Sequence, residues 1–397
     1  MNTLEHMEVS LPIPRSTRLS KIRDGEEAPI YPHKRPQIFM IMKATRLCNL
    51  RCSYCNAWKE GPNQIMSHEV MRKATEQAFQ IPWAQRVDFV WHGGETTLLP
   101  IAYFEAAMEV QRQCQGDRLV ANSIQTNATL LDDRWIRLFK EGHFSVGISM
   151  DLPPEMHARY RRTKGGKSSW QATLNGVRLV KEAGIPHGIL IVVTPALIEY
   201  GAARVLACLH EHHLTSVALL NVVPDNRVPA EGSENYLDWD RYVRFLTEIY
   251  IEREKQYPGL LKVRELDDLV AGIRGGAPKT CVYVGNCMGQ YLTIEPSGDV
   301  SACDKYIHDP QYSFGNLMVQ DINAILSDVA LRSVRREHLQ SVSRLQECRY
   351  FNFCQGSCPH DQYLKRKILP ERSNECCGLS PLIEAIQERQ SSKRELY

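Results

Sequence analysis

Residues 37–55 read QIFMIMKATRLCNLRCSYC, an apolar run passing directly into a loop with cysteines at 48, 52 and 55. The run is strand-sized and bounded by the loop, as a strand of an α/β fold is. Working outward, strand-like and helix-like segments alternate. Strands are expected over 37–44, 86–91, 119–125, 144–150, 187–193 and 216–222, and helices over 67–81, 101–114, 132–141, 170–183 and 202–212. Six strands, each followed by a helix or crossover, imply parallel βα units in an open or closed barrel. The pattern stops after residue 223. A loop-like stretch at 224–235 and helices at 239–257 and 265–274 lead into a cysteine-rich region from Cys281. That region has few long periodic stretches, so metal ligation rather than a large apolar core is expected to hold it together.

Composition narrows the function classes. The 397 residues carry 48 Lys+Arg against 46 Asp+Glu, a net charge of +2. A hydrophobic content of 43% excludes a mainly disordered chain. The near-neutral balance argues against a nucleic-acid binder held by phosphate contacts. No apolar run approaches the ~18 residues of a membrane span. Residues 1–36 are polar and basic with scattered prolines and no apolar signal region, so a cytosolic chain is expected, with neither nucleic acid nor membrane as partner. The cytosol keeps thiols reduced, so thirteen cysteines there point to metal or redox chemistry. Three lie between Cys48 and Cys55 and eight between Cys281 and Cys377; Cys114 and Cys208 stand alone and read as small buried apolar residues.

Three thiolates on one short loop can reach three corners of a [4Fe–4S] cubane, which normally takes four cysteines, and leave one iron open. Zinc is the competing use of these thiols, with His68 as the nominated fourth ligand. The Cys-x3-Cys-x2-Cys spacing, with Tyr54 before the last cysteine, resembles the radical S-adenosylmethionine (SAM) enzymes. The resemblance implies a partial (β/α)6 TIM-like barrel, a SAM-binding [4Fe–4S] cluster, and an external electron donor of flavodoxin or ferredoxin type. It also places SAM contacts at the later strand ends. Gly93, Gly94 and Glu95 match the Gly-Gly-Glu motif, with Thr96 where the family usually has Pro. Ser123, in Ser-Ile-Gln-Thr-Asn, matches a polar run that helps hold the SAM carboxylate. Ser149 and Asp151 match a Ser-x-Asp element near the ribose, with Leu152 where a glycine usually follows. His157 and Arg161 match a His-x3-Arg pattern whose arginine pairs with the SAM carboxylate.

The later cysteines resemble the SPASM extension of the same superfamily, which holds auxiliary [4Fe–4S] clusters. By that resemblance Cys281, Cys287, Cys303 and Cys358 serve a first cluster, and Cys348, Cys354 and Cys376 a second. Leu345 stands where the family's Cys-x2-Cys pair begins, so the second set lacks a thiolate; an open iron, a non-cysteine ligand, Cys377, or no second cluster are the alternatives. Asp304, directly after Cys303, resembles the position where sulfatase-maturing members place a catalytic base, and a negative cluster nearby is expected to raise its pKa. The implied domains are an arm (1–36), the barrel (37–225), a helical linker (226–279), the SPASM domain (280–380) and a tail (381–397). The implied function is hydrogen abstraction from a peptide or small protein, ranked as ribosomal-peptide maturation with a new side-chain bond, then formylglycine-generating sulfatase maturation, then small-molecule dehydrogenation. An iron–sulfur carrier or zinc-held interaction protein explains the cysteines but not Glu95, Ser123, Asp151 and Arg161.

Overall fold

Alternation along the strands writes the fold. In Arg86–Gly93 every second side chain is buried. Phe89 and Trp91 pack outward on Phe79 and Phe104 of the flanking helical segments, while the other set, Asp88, Val90 and His92, turns to the opposite face. The computed structural model describes residues 36–55, 57–58, 64–222, 237–276, 278–285, 287–306, 309–368 and 376–394. The expected arm up to residue 35 and the expected loop at 224–235 lie outside them.

The strands are β1 (Gln37–Thr45), β2 (Leu50–Cys52), β3 (Arg86–Gly93), β4 (Leu119–Thr126), β5 (Ser145–Ser149), β6 (Arg161–Thr163), β7 (His187–Val193), β8 (Ser216–Asn221), β9 (Lys262–Val263), β10 (Tyr291–Ile294), β11 (Asp299–Ser301) and β12 (Ser313–Asn316). The main sheet has ten strands in the order β12-β11-β10-β1-β3-β4-β5-β7-β8-β9. Its six central strands are the expected parallel barrel strands, joined by helices that include His68–Ala78, Ile101–Cys114, Asp133–Glu141, Trp170–Glu182 and Ala202–Glu211. Ser67 and Asp132, read as the first residues of two helices, are their N-caps, each side chain accepting a backbone N–H of the first turn.

The C-terminal region departs from the expectation that ligation alone supports it. Strand β10 pairs in parallel with β1 and carries β11 and β12 as an antiparallel extension, so both regions share one sheet. Leu292, Ile294, Val300, Phe314, Ile322 and Ile325 belong to the same buried cluster as Ile38 and Met40. These residues come from short strands and the five-residue helix Ile322–Leu326, whose patterns are too brief to read. The expected tail also differs: Ser380–Arg394 is a helix with Leu382, Ile383 and Ile386 buried, and Arg389 donates to the Glu254 carbonyl (3.0 Å) on the helix Trp239–Gln256. A two-stranded ribbon, β2 antiparallel to β6 with Cys52 opposite Arg161, was not anticipated, nor were the helices Pro154–Tyr160 and Pro195–Tyr200.

Candidate functional site

The cysteine loop is seated on the end of β3. Gly94 N donates to the Thr45 carbonyl (2.7 Å) and Glu95 N to the Leu47 carbonyl (2.8 Å). A Cβ on Gly93, where φ is +140°, would lie 2.0 Å from Thr45 O, and one on Gly94 would lie 2.1 Å from Leu47 O. The two glycines therefore let β3 press against the backbone that carries Cys48. Leu50 N donates to Cys48 Sγ and Ala57 N to Cys55 Sγ, both at 3.4 Å. Asn49 ties the loop to the end of β4, donating to Thr129 Oγ1 (2.8 Å) and accepting from Asn127 Nδ2 (2.9 Å). Burial pushes the Cys48 thiol up to about 11 and the Cys52 thiol to about 12. Such thiols ionise at neutral pH only against a compensating cation, which fits iron ligation. His68 packs instead on Tyr103, ring centroids 5.1 Å apart. Among the described residues no three His, Cys, Asp or Glu side chains converge on a point that suits one metal ion. A cubane has four separate irons, so its thiolates need no such convergence.

Glu95 is 1% exposed. Its Oε1 accepts from Thr97 N (3.0 Å), Thr97 Oγ1 (2.6 Å) and Thr126 Oγ1 (2.6 Å), and its Oε2 from Asn127 N (2.7 Å). Burial pushes its pKa up while these four donors oppose the shift. Thr96, in place of the usual Pro, donates its hydroxyl to the Gln125 carbonyl (3.0 Å) and so fixes the same turn to β4. Ser123 and Gln125 are half-buried on one face of β4, and Gln125 Nε2 donates to Ser149 Oγ (2.8 Å).

At the end of β5, Asp151 and Arg161 are buried beside the half-buried Tyr54. Its Oδ2 accepts from Tyr54 Oη (2.5 Å) and Arg161 Nε (3.1 Å), while Arg161 Nη1 lies 3.9 Å from Cys52 Sγ. His157 Nδ1 accepts from Asp151 N (3.2 Å), and its Nε2 meets Ser169 Oγ (2.9 Å), which donates to the Arg161 carbonyl (2.8 Å). The aromatic of the cysteine motif, the Ser-x-Asp acid and the His-x3-Arg pair are thus one hydrogen-bonded group beside the cysteine loop.

Lys43, Arg46, His92 and Glu295 were not singled out from the sequence, although a lysine inside the apolar strand β1 is a legible signal. Lys43 is fully buried, ion-pairs with Asp304, and donates to His92 Nδ1 (2.8 Å). Gly93 N also donates to His92 Nδ1 (2.7 Å), so the imidazole is neutral with its proton on Nε2; burial and then Lys43 lower its pKa to about 3. Arg46 is paired with Glu295, Nε to Oε2 at 2.8 Å. Burial pushes the Asp304 pKa up, but Lys43 and then Arg46 hold the carboxyl below its ordinary range. The carboxylate is 26% exposed, at the junction of the barrel and the C-terminal region.

Cys281, Cys287, Cys303 and Cys358 gather behind Asp304. The Cys287 thiol is raised by burial and then by Cys358, Cys303 and Cys281, and Lys305 Nζ reaches Cys358 Sγ (3.7 Å) and Asp361 (3.0 Å). Cys348 and Cys376 interact with each other, while Leu345 is 2% exposed in the apolar core.

The description "Radical SAM superfamily" matches residues 42–199 and "Iron-sulfur cluster-binding domain" (SPASM) matches residues 281–359. The chain belongs to the radical SAM superfamily, as an enzyme with a SPASM domain whose cofactors are SAM and [4Fe–4S] clusters. It is 30% identical over 352 residues to a serine-type anaerobic sulfatase-maturating enzyme of Bacteroides thetaiotaomicron, covering 84% of each chain. It is 27% identical over 337 residues to a cysteine-type anaerobic sulfatase-maturating enzyme of Clostridium perfringens, covering 81% of this chain and 89% of that one. A solved structure of native anSMEcpe with bound AdoMet and Cp18Cys peptide shares the fold, with a TM-score of 0.75 at 24% identity, covering 90% of this chain and 97% of that one. No described helix is long and apolar enough to cross a membrane.

Proposed function

We propose that the chain oxidises the side chain of a serine or cysteine in a peptide or protein to an aldehyde. The observation that carries this is the likeness, over 84% of both chains, to a relative named for sulfatase maturation of the serine type. In this reading Cys48, Cys52 and Cys55 hold the SAM cluster. Gly93, Gly94, Glu95, Ser123, Ser149, Asp151 and Arg161 form the SAM bed, with Tyr54 bracing Asp151. When bound, SAM supplies the radical that removes a substrate Cβ hydrogen, and the auxiliary clusters offer an acceptor for the electron the substrate then loses. Asp304 takes the hydroxyl or thiol proton. Its ion pair with Lys43 keeps it a carboxylate, and a radical on the adjacent carbon acidifies that proton, so a weak base suffices. Serine gives the aldehyde directly, whereas cysteine gives a thioaldehyde that water hydrolyses to the aldehyde with release of hydrogen sulfide. The reducing electron comes from an outside donor of flavodoxin or ferredoxin type.

The peptide cross-linking reading shares the hydrogen abstraction and differs in the fate of the substrate radical. Loss of a proton and an electron gives a carbonyl, whereas attack on a second side chain gives a new bond. A carboxylate beside an auxiliary-cluster ligand serves the first fate. The test is anaerobic incubation of the reconstituted enzyme with SAM, dithionite and sulfatase-derived peptides carrying Ser, Cys or Ala at the target position. The Ser peptide should lose two hydrogens and gain a hydrazide-reactive carbonyl, in step with 5′-deoxyadenosine; the Ala peptide should not react. Asp304→Asn keeps an oxygen for Lys43, so SAM cleavage should persist while aldehyde falls ~10²–10⁴-fold, the usual loss with a general base. A cross-linked, carbonyl-free product would instead establish the second reading.

A further inference from the structure

Leu345 removes one thiolate from the second auxiliary set, yet the structure brings a fourth thiol to it from elsewhere in the chain. Cys377 Sγ lies 3.3 Å from Cys354 Sγ. Cys376 is within hydrogen-bonding reach of Cys377 on one side and of Cys348 on the other. Cys348, Cys354, Cys376 and Cys377 therefore form one continuous group of free thiols, the number a cubane takes. The Cys376–Cys377 doublet is held from outside the group. Lys365 Nζ donates to the Cys376 carbonyl (2.8 Å), Gln362 Nε2 to the Cys377 carbonyl (3.4 Å), and Gly378 N to Cys376 Sγ (3.3 Å). Leu345 packs meanwhile as an apolar residue, its Cδ1 3.5 Å from where a Cβ on Gly356 would stand. Cys377 is 2% exposed, and both it and Cys376 lie beyond the segment matched to the SPASM description.

We infer that Cys377 is the fourth ligand of the second auxiliary [4Fe–4S] cluster, taking over the corner that Leu345 vacates, so the site is a closed Cys348–Cys354–Cys376–Cys377 set. A doublet of adjacent cysteines then supplies two corners, and no iron of that cluster is left open to substrate or solvent. The inference rests on the SPASM assignment and is independent of which substrate is oxidised.

The test uses the full chain carrying Cys48→Ala, Cys52→Ala and Cys55→Ala, which removes the SAM cluster and leaves about eight irons in two cubanes. Adding Cys377→Ser should cut the iron toward about four or convert one cluster to a three-iron form visible by electron paramagnetic resonance. Restoring the corner with Leu345→Cys in the Cys377→Ser background should return the iron to about eight; Cys208→Ser should change nothing. A second measurement needs no variant. Iodoacetamide under anaerobic conditions should spare all four thiols in the reconstituted wild-type protein and label them together once a chelator strips the iron. Eight irons and an unchanged Mössbauer spectrum in Cys377→Ser overturn the proposal. So does alkylation of Cys377 alone in the loaded wild-type protein, a Cys354–Cys377 disulfide, or a parent holding only four irons.

Discussion

His157 gives the site a pH sensitivity that can be worked out from its neighbours. Its Nδ1 must accept from Asp151 N while Nε2–H donates to Ser169, which passes a hydrogen bond to the Arg161 carbonyl. A second ring proton would face the Asp151 N–H, so the folded protein holds the imidazole neutral. Burial and then Arg161 lower its pKa to about 4, and burial lowers that of His338, which donates to the Gly285 carbonyl (2.8 Å), also to about 4. The unfolded chain takes up these protons near the ordinary histidine value of about 6.5. The stabilising contribution is therefore complete above that value and is lost as pH falls toward 4. By pH 5 each histidine should cost about 2 kcal/mol of stability. Denaturant midpoints at pH 7 and pH 5 check this, and His157→Gln should reduce proton uptake on unfolding at pH 5 by about one. An unchanged uptake in that variant would mean His157 is already charged in the folded state.

At the scale of elements, the long alternating segments were legible and the short ones were not. The strand His187–Val193 and the helix Ile101–Cys114 appear with the ends read from the sequence, because each carries enough periods for a pattern to show. The three-residue strands β2 and β6 contain no full pattern, yet they latch the cysteine loop to the segment of Arg161. In the site, the motif residues lay at strand ends as read, but Lys43, Arg46 and Glu295 act across a separation of about 250 residues that no local pattern encodes. The motif glycines show a related difference. The motif alone does not say what approaches them; at Gly94 the close approach is to the Leu47 carbonyl. Gly94→Ala must push the cysteine loop away from β3, since the obstructing atoms are backbone. The variant should lose about 1–3 kcal/mol and up to about four irons, the SAM cluster's share. Gly165→Ala, in an exposed turn whose nearest atom to the new Cβ is 3.9 Å away, should keep its full iron content. Iron analysis and thermal melts of the two variants decide it; full iron in Gly94→Ala would show that the loop is not set by this contact.

For the whole molecule, the shared sheet makes barrel and C-terminal region depend on each other whether or not iron is bound. A chain ending at residue 280 would strip β10 from β1, leaving the backbone of Phe39 to Met42 as an unpaired edge and Phe39 without the stacked Tyr291 ring 4.1 Å away. Unpaired, apolar edges seed aggregation. The same cut removes Asp304 and Glu295 from Lys43 and Arg46, which are 0% and 1% exposed. Both cations thereby lose their carboxylates; in the full chain, where Lys43 stays buried, losing that partner alone costs roughly 3–5 kcal/mol, a large part of the stability of an ordinary domain, about 5–15 kcal/mol. The truncated chain should therefore be aggregated in sedimentation velocity even when its SAM cluster is reconstituted. Replacing both cations in it, Lys43→Met with Arg46→Met, should recover only part of the soluble fraction, since the edge of β1 stays open. In the full chain, Asp304→Ala alone should be destabilised by about 3–5 kcal/mol, and Lys43→Met added to it should restore most of that loss, a coupling that a double-mutant cycle measures directly. A monodisperse, cooperatively melting fragment ending at 280 would sink this account, because it would show that the barrel closes its own edge and neutralises its own buried cations.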